Sequence, residues 1–273
     1  MTVVRAKKRF GQHFLKSPEV IARIIDIIAP RKGQVIIEIG PGHGALTAPL
    51  LESGAEVTAI ELERDAVRFL SRKFGRHPHL RIVSQNFLTF EPSGLGLTRY
   101  TLVGNLPFGI TSPVITWAIN HRAQIEGVCL MVQRELALRL AATPGSKHWS
   151  PLSIFAQLHF DVVRCLDVPP RHFEPPPKVT ATVITLTPRE ALSEVPTVQF
   201  DRVVRTAFRQ RRKLLVNNLA PDLFRDPETV RAVLRGIGLS AYSRAEQVTT
   251  NQFLSLTKYM MDRGMLSDYT PEG

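Results

Sequence analysis

The chain is short of cysteine, of acid and of long apolar runs. Only Cys129 and Cys165 serve its 273 residues, and neither stands in a C-x-x-C pair. A disulfide scaffold is therefore excluded, and cysteine-held zinc is not expected. His121, His148, His159 and His172 lack ligand-like spacing, so no metal is expected either. No stretch approaches the ~20 apolar residues of a membrane span. The basic start lacks the apolar core of a secretory signal. It has the composition of a transit peptide, but Phe10 to Leu15 is dense in residues that pack and bind, so it reads as part of the fold. The apolar fraction of 44% excludes a disordered tail protein.

Acid is the most telling shortage. Lys and Arg number 35 against 24 Asp and Glu, a net charge of +11. Residues 1–16 hold Arg5, Lys7, Lys8, Arg9 and Lys16 with no acid. Residues 202–213 hold Arg202, Arg205, Arg209, Arg211, Arg212 and Lys213, again with no acid. The two patches carry the whole excess, which favours a polyanionic partner over two solvated faces.

Strand and helix patterns alternate over the first half. Apolar spacing predicts helices over Val20–Ile28, Ala45–Glu52, Arg64–Phe74, Ser112–Asn120 and Arg134–Ala142. Between them lie short apolar runs at Gln34–Ile39, Glu56–Ile60, Leu80–Ser84, Thr101–Gly104 and Val128–Val132. Such alternation predicts an α/β fold with a parallel, doubly wound sheet. Pro151–Phe160 reads as helix, and Val162–Val168 and Val179–Leu186 as strands flanking a stiff segment with five prolines over 168–177. Helices are expected over Phe200–Leu219, Glu228–Gly236 and Gln252–Arg263. The expected domains are 1–190, containing the sheet, and a helical 191–273.

Two segments carry chemistry. Glu38-Ile39-Gly40-Pro41-Gly42-His43-Gly44 follows a strand and opens a helix, where glycines allow a ligand close to the backbone. Glu61 ends the next strand, placed to accept from ribose hydroxyls. The glycine spacing fits a dinucleotide fingerprint poorly, and Glu38 is a poor neighbour for a pyrophosphate. It suits a cation such as the sulfonium and amino group of S-adenosylmethionine. After the fourth strand comes Asn105-Leu106-Pro107-Phe108. An exocyclic adenine amine is a weak nucleophile because its lone pair is delocalised. Acceptors on its hydrogens, the Asn105 side-chain oxygen and the Leu106 carbonyl, favour its becoming tetrahedral. Pro107 fixes the turn, and Phe108 offers a face to a base drawn out of its stack.

These segments, with Phe10-Gly11-Gln12-His13-Phe14-Leu15, Phe173-Glu174-Pro175-Pro176-Pro177-Lys178-Val179 and the run from Phe208 to Leu219, resemble the ribosomal small-subunit RNA adenine dimethyltransferases. The resemblance runs from Arg9 to about Leu256. It implies a Rossmann-like, S-adenosylmethionine-dependent methyltransferase domain with a small all-helical C-terminal domain. It implies dimethylation of two adjacent adenines near the 3′ end of small-subunit ribosomal RNA within an assembling particle. By position, the family's cofactor contacts fall on His13, Leu15, Gly40, Glu61, Asn86 and Asn105, with Gly42 in the same loop. The family usually has Asp where Asn86 stands, and Tyr more often than Phe108. Phe173 is expected to stack the target adenine opposite Phe108, with Arg209, Arg211, Arg212 and Lys213 gripping RNA. The expected protein is a cytoplasmic monomer that needs neither membrane nor metal, an organelle being the other setting. Competing functions are a large-subunit RNA methyltransferase of the antibiotic-resistance type, a mitochondrial-type relative with a transcription- or assembly-factor role, and a nicotinamide oxidoreductase.

Overall fold

A computed structural model describes residues 13–107, 109–190, 197–224 and 226–266. The expectations for Arg5, Lys7, Lys8, Arg9, Gln12 and Phe108 lie outside the described residues. The chain divides into two compact units.

The first unit, through Ala137 and again over Phe160–Pro188, is built on a seven-stranded sheet. Its strands are β2 (Val35–Ile39), β3 (Glu56–Glu61), β4 (Leu80–Ser84), β5 (Tyr100–Asn105), β6 (Ile125–Gln133), β7 (Phe160–Val168) and β9 (Ala181–Pro188), in the order β4-β3-β2-β5-β6-β9-β7. A two-residue strand β1 (Phe14–Leu15) pairs separately with β8 (Phe173–Glu174). Helices α1 (Pro18–Ile28), α2 (Thr47–Glu52), α3 (Arg64–Phe74) and α4 (Thr111–Asn120) connect the early strands, and α5 (Arg134–Leu140) follows β6. β4-β3-β2-β5-β6 are parallel. Their central members are apolar almost throughout, as strands covered on both faces must be. α1 starts where expected: the Ser17 hydroxyl accepts from the Val20 N–H and Pro18 takes the first turn.

The expected parallel sheet is present over these five strands, and its far side is antiparallel. β9 inserts between β6 and β7 and runs antiparallel to both. The proline-rich segment returns the chain without a crossover helix, and only antiparallel neighbours can be joined that way. The order also fixes where a ligand belongs. From β2 the chain winds outward through β3 and β4, then returns to β5 on the other side of β2. The C-terminal ends of β2 and β5 therefore flank a topological switch point.

The second unit comprises Leu138–His159 and everything from Arg189 onward. It contains α6 (Pro151–His159), α7 (Thr197–Phe208), α8 (Leu215–Leu223), α9 (Pro227–Gly236) and α10 (Thr250–Asp262). The expected boundary at 190 thus misses a piece. Trp149, Ile154 and Leu158 share a core with Phe200, Val203, Leu219, Phe253 and Leu256, and the Trp149 indole donates to the Val248 carbonyl at 3.0 Å. The single helix expected over 200–219 is also divided. The buried Asn218 amide donates to the carbonyls of Ala207 and Gln210, at 2.7 and 3.1 Å, which satisfies the end of α7. The segment 209–214 is left as a turn that carries the basic residues.

Candidate active site

A cleft of roughly 790 Å³, solvent-open space included, lies at the switch point. His13, Gly40, Gly42, Glu61, Asn105 and Phe173 are among the residues that line it.

The glycine loop is shaped by backbone demands. Gly40, Gly42 and Gly44 have φ of 60°, 55° and 75°, a region that side chains strain to enter. At Gly42 a Cβ would also stand 2.9 Å from the Phe14 ring. The carboxylate of Glu61 fixes this loop to β3. Its Oε2 accepts from the Gly42 N–H at 3.2 Å and its Oε1 from the Glu63 N–H at 2.9 Å. Both oxygens are thereby oriented, and each keeps a lone pair for a ligand hydroxyl.

Glu38 is a charged residue inside a strand otherwise made of Val and Ile. It is 1% exposed, and its Oε2 accepts from the Thr47 hydroxyl at 2.6 Å. Burial pushes its carboxyl up to about 7, against the Thr47 hydrogen bond, with the Glu61 charge adding to the rise. Burial likewise raises Glu61, opposed by the backbone N–H groups that it accepts. The described lining has two carboxylates and no Lys or Arg. Those carboxylates suit a cationic ligand bearing ribose hydroxyls better than a pyrophosphate. S-adenosylmethionine meets the requirement: Glu61 would hold its ribose, Glu38 its positive end and Gly40 and Gly42 its approach to the backbone.

Asn105 ends β5. Its Nδ2 donates to the His13 carbonyl at 3.0 Å, which engages the donor side of the amide and leaves Oδ1 as acceptor. The Leu106 N–H donates to the Met131 carbonyl at 3.1 Å and the Ile110 N–H to the Pro107 carbonyl at 3.2 Å, so the turn is held from both ends.

The N-terminal strand forms one wall of the cleft, here termed the lid. β1 pairs Phe14 with Glu174 and Leu15 with Phe173. His13 Nδ1 bonds the Pro175 carbonyl at 2.7 Å, the Lys16 N–H donates to the His172 carbonyl at 2.9 Å, and Lys16 pairs with Glu174 at 3.2 Å. His13 and Leu15 thus line the cleft, together with Gly40, Gly42, Glu61, Asn105, Leu106 and Pro107.

Three expectations meet a different setting. Asn86 is exposed and does not line the cleft; its Oδ1 caps the Leu88 N–H at 3.1 Å, beyond the β3 edge where Gln85 N–H bonds the Glu61 carbonyl. Phe173 touches the cleft but is 2% exposed and packed with Leu15, Val168 and Val183, so it is a wall and not an open stacking platform. In the second unit, the acid-free run is partly neutralised from outside itself. Arg209 pairs with Asp222, and Arg211 reaches Glu246 at 3.5 Å and the Lys147 carbonyl at 2.8 Å. Arg212 and Lys213 are exposed. Residues that motif reading passed over are Phe14 and His43, whose rings stack in the cleft; only their three-dimensional proximity marks them. Tyr242, 80% exposed, belongs to the turn whose Ser243 carbonyl accepts from Leu215 beside the basic segment.

Among the described residues no cluster of three or more His, Cys, Asp or Glu could hold a metal. No described helix is long and apolar enough to cross a membrane.

Comparison with known proteins agrees with this geometry. Residues 3–262 match the family described as Ribosomal RNA adenine dimethylase. The chain is 38% identical to Ribosomal RNA small subunit methyltransferase A of Thermosynechococcus vestitus, across 94% of this chain and 98% of that protein. A dimethyladenosine transferase from Plasmodium falciparum has the same fold, with a TM-score of 0.81 at 24% identity over 92% of this chain and 98% of that one. The 23S rRNA methyltransferase ErmE superposes with a TM-score of 0.73 at 26% identity, over 93% and 100% of the two chains.

Proposed function

The chain belongs to the ribosomal RNA adenine dimethylase family, and on that footing we propose that it methylates the exocyclic N6 amines of two adjacent adenines near the 3′ end of small-subunit ribosomal RNA. It is an S-adenosylmethionine-dependent rRNA adenine dimethyltransferase. The full-length similarity to small-subunit enzymes favours that target over the large-subunit RNA named for ErmE, which is 26% identical. The bacterial relatives are compatible with a cytoplasmic setting, and we propose that the enzyme meets its RNA in an assembling particle, as a monomer.

The observation that carries the mechanism is the turned amide of Asn105. With Nδ2 engaged by the His13 carbonyl at 3.0 Å, Oδ1 accepts from the target amine. In this reading the Leu106 carbonyl takes the second hydrogen. Two acceptors draw the nitrogen away from conjugation with the ring and localise its lone pair. The bound cofactor supplies a methyl group on a sulfonium, already activated for displacement. Glu38 and Glu61 hold the cationic nucleoside, and Leu106 and Phe173, each 2% exposed, keep bulk water from that end of the cleft. No strong base is required, because the nitrogen becomes acidic once alkylated and its proton passes to water. Phe108 supplies the stacking face for the extruded base.

Labelled S-adenosylmethionine with under-methylated 30S particles, followed by RNA digestion, tests this. Dimethyladenosine in small-subunit RNA is expected; label confined to large-subunit RNA, or none on competent particles, overturns it. Asn105→Ala should abolish transfer while particle binding persists. Loss of particle binding as well would make Asn105 structural.

A further inference from the structure

His43 takes no part in the chemistry above, yet it carries the lid. Its imidazole lies nearly flat on the Phe14 ring, centroids 3.9 Å apart and planes 14° from parallel. The Phe69 ring of α3 packs on the same imidazole at 5.4 Å. Phe14 in turn rests against Gly42, its Cε1 2.9 Å from where any Cβ would stand. β1 is two residues long, and so short a ribbon is marginal without side-chain packing. The residue before Phe14 is His13, whose carbonyl holds the Asn105 amide at 3.0 Å. A continuous line of contacts therefore runs from α3 through His43 and Phe14 to the acceptor of the target amine.

We infer that His43 is a positioning residue: by stacking on Phe14 it latches the lid strand onto the glycine loop and keeps the cofactor cleft assembled. The inference rests on the proposed reading of the cleft as the S-adenosylmethionine site. The latch uses the face of the imidazole, and another aromatic side chain presents such a face.

The test is S-adenosylmethionine affinity by calorimetry for wild type, His43→Ala, His43→Phe, Phe14→Leu and the double variant Phe14→Leu/His43→Ala. Amide hydrogen exchange over residues 13–16 is followed in parallel without cofactor. Aromatic stacking sets the scale: His43→Ala should weaken binding about three- to tenfold and speed exchange in β1. His43→Phe should stay within about twofold of wild type, and the double variant should be no weaker than Phe14→Leu alone. Wild-type affinity and exchange in His43→Ala would overturn the latch, as would a His43→Phe as weak as His43→Ala. Faster exchange throughout β2 to β5, rather than in β1, would overturn it too by making His43 a general packing residue. A wild-type protein without affinity for S-adenosylmethionine would remove the reading beneath the latch instead.

Discussion

Replacing Glu38 by Gln should stabilise the fold above neutrality while weakening the site. In the unfolded chain the carboxyl titrates near 4.5, and burial raises it to about 7 in the fold. The native state therefore holds its proton more tightly, and stability falls as pH rises from about 4.5 through about 7, then levels off. Each tenfold gain in proton affinity corresponds to about 1.4 kcal/mol, so ionising Glu38 costs the fold about 3 kcal/mol in all, of which about 2–3 kcal/mol is lost between pH 5 and pH 8. A Gln at this position keeps an acceptor for the Thr47 hydroxyl and cannot ionise. Urea unfolding of wild type and Glu38→Gln, without cofactor at both pH values, isolates the contribution, since every other titrating group is common to the two. Equal losses of stability between pH 5 and pH 8 would refute the reasoning. Wild-type affinity for the cationic cofactor should rise with pH through about 7, as Glu38 ionises; in the variant that rise should be absent.

Phe173→Ala empties a packed wall of the cleft, so it should cost about 3–5 kcal/mol of stability in addition to slowing transfer; an unchanged urea midpoint would show that the ring is a free stacking platform after all. Replacing Arg209, Arg211, Arg212 and Lys213 by Ala should weaken particle binding and leave S-adenosylmethionine affinity unchanged, read by filter binding across a salt series. Arg212→Ala/Lys213→Ala alone should lower the salt slope by about two, because Arg209 and Arg211 already have acidic partners. An unmoved slope would reduce the patch to a solvated face.

Much of the site is legible because its residues sit where the sequence pattern changes. Gly40, Glu61 and Asn105 each close an apolar run, and parallel strands deliver such positions to one edge of the sheet. The lid is different. His13 meets Pro175 and Phe14 meets Glu174 across about 160 residues of chain, and two-residue strands carry no periodicity to announce their pairing. Helix α6 is read correctly as a helix, but nothing in its apolar spacing says which core it enters; Trp149 and Phe200 decide that together. The break between α7 and α8 turns on Asn218, one polar side chain whose value lies in the two carbonyls that it satisfies. The charge of residues 202–213 is plain in the sequence, whereas its partial neutralisation comes from Asp222 and Glu246, further along the chain.

The place of β9 has a consequence for synthesis. A ribosome makes β6 and then β7, but the two are never neighbours; both wait for β9, which slots between them. Until Pro188 has emerged, the nascent sheet shows one open edge and one strand without a partner, the form in which β-structure is most prone to stick to other chains. The lid's partner β8 lies in the same late stretch, at Phe173–Glu174. A chain that stops before Phe173 can thus own the glycine loop and the Asn105 turn and still lack both the closed sheet and the lid's partner, since one late stretch of chain supplies the two.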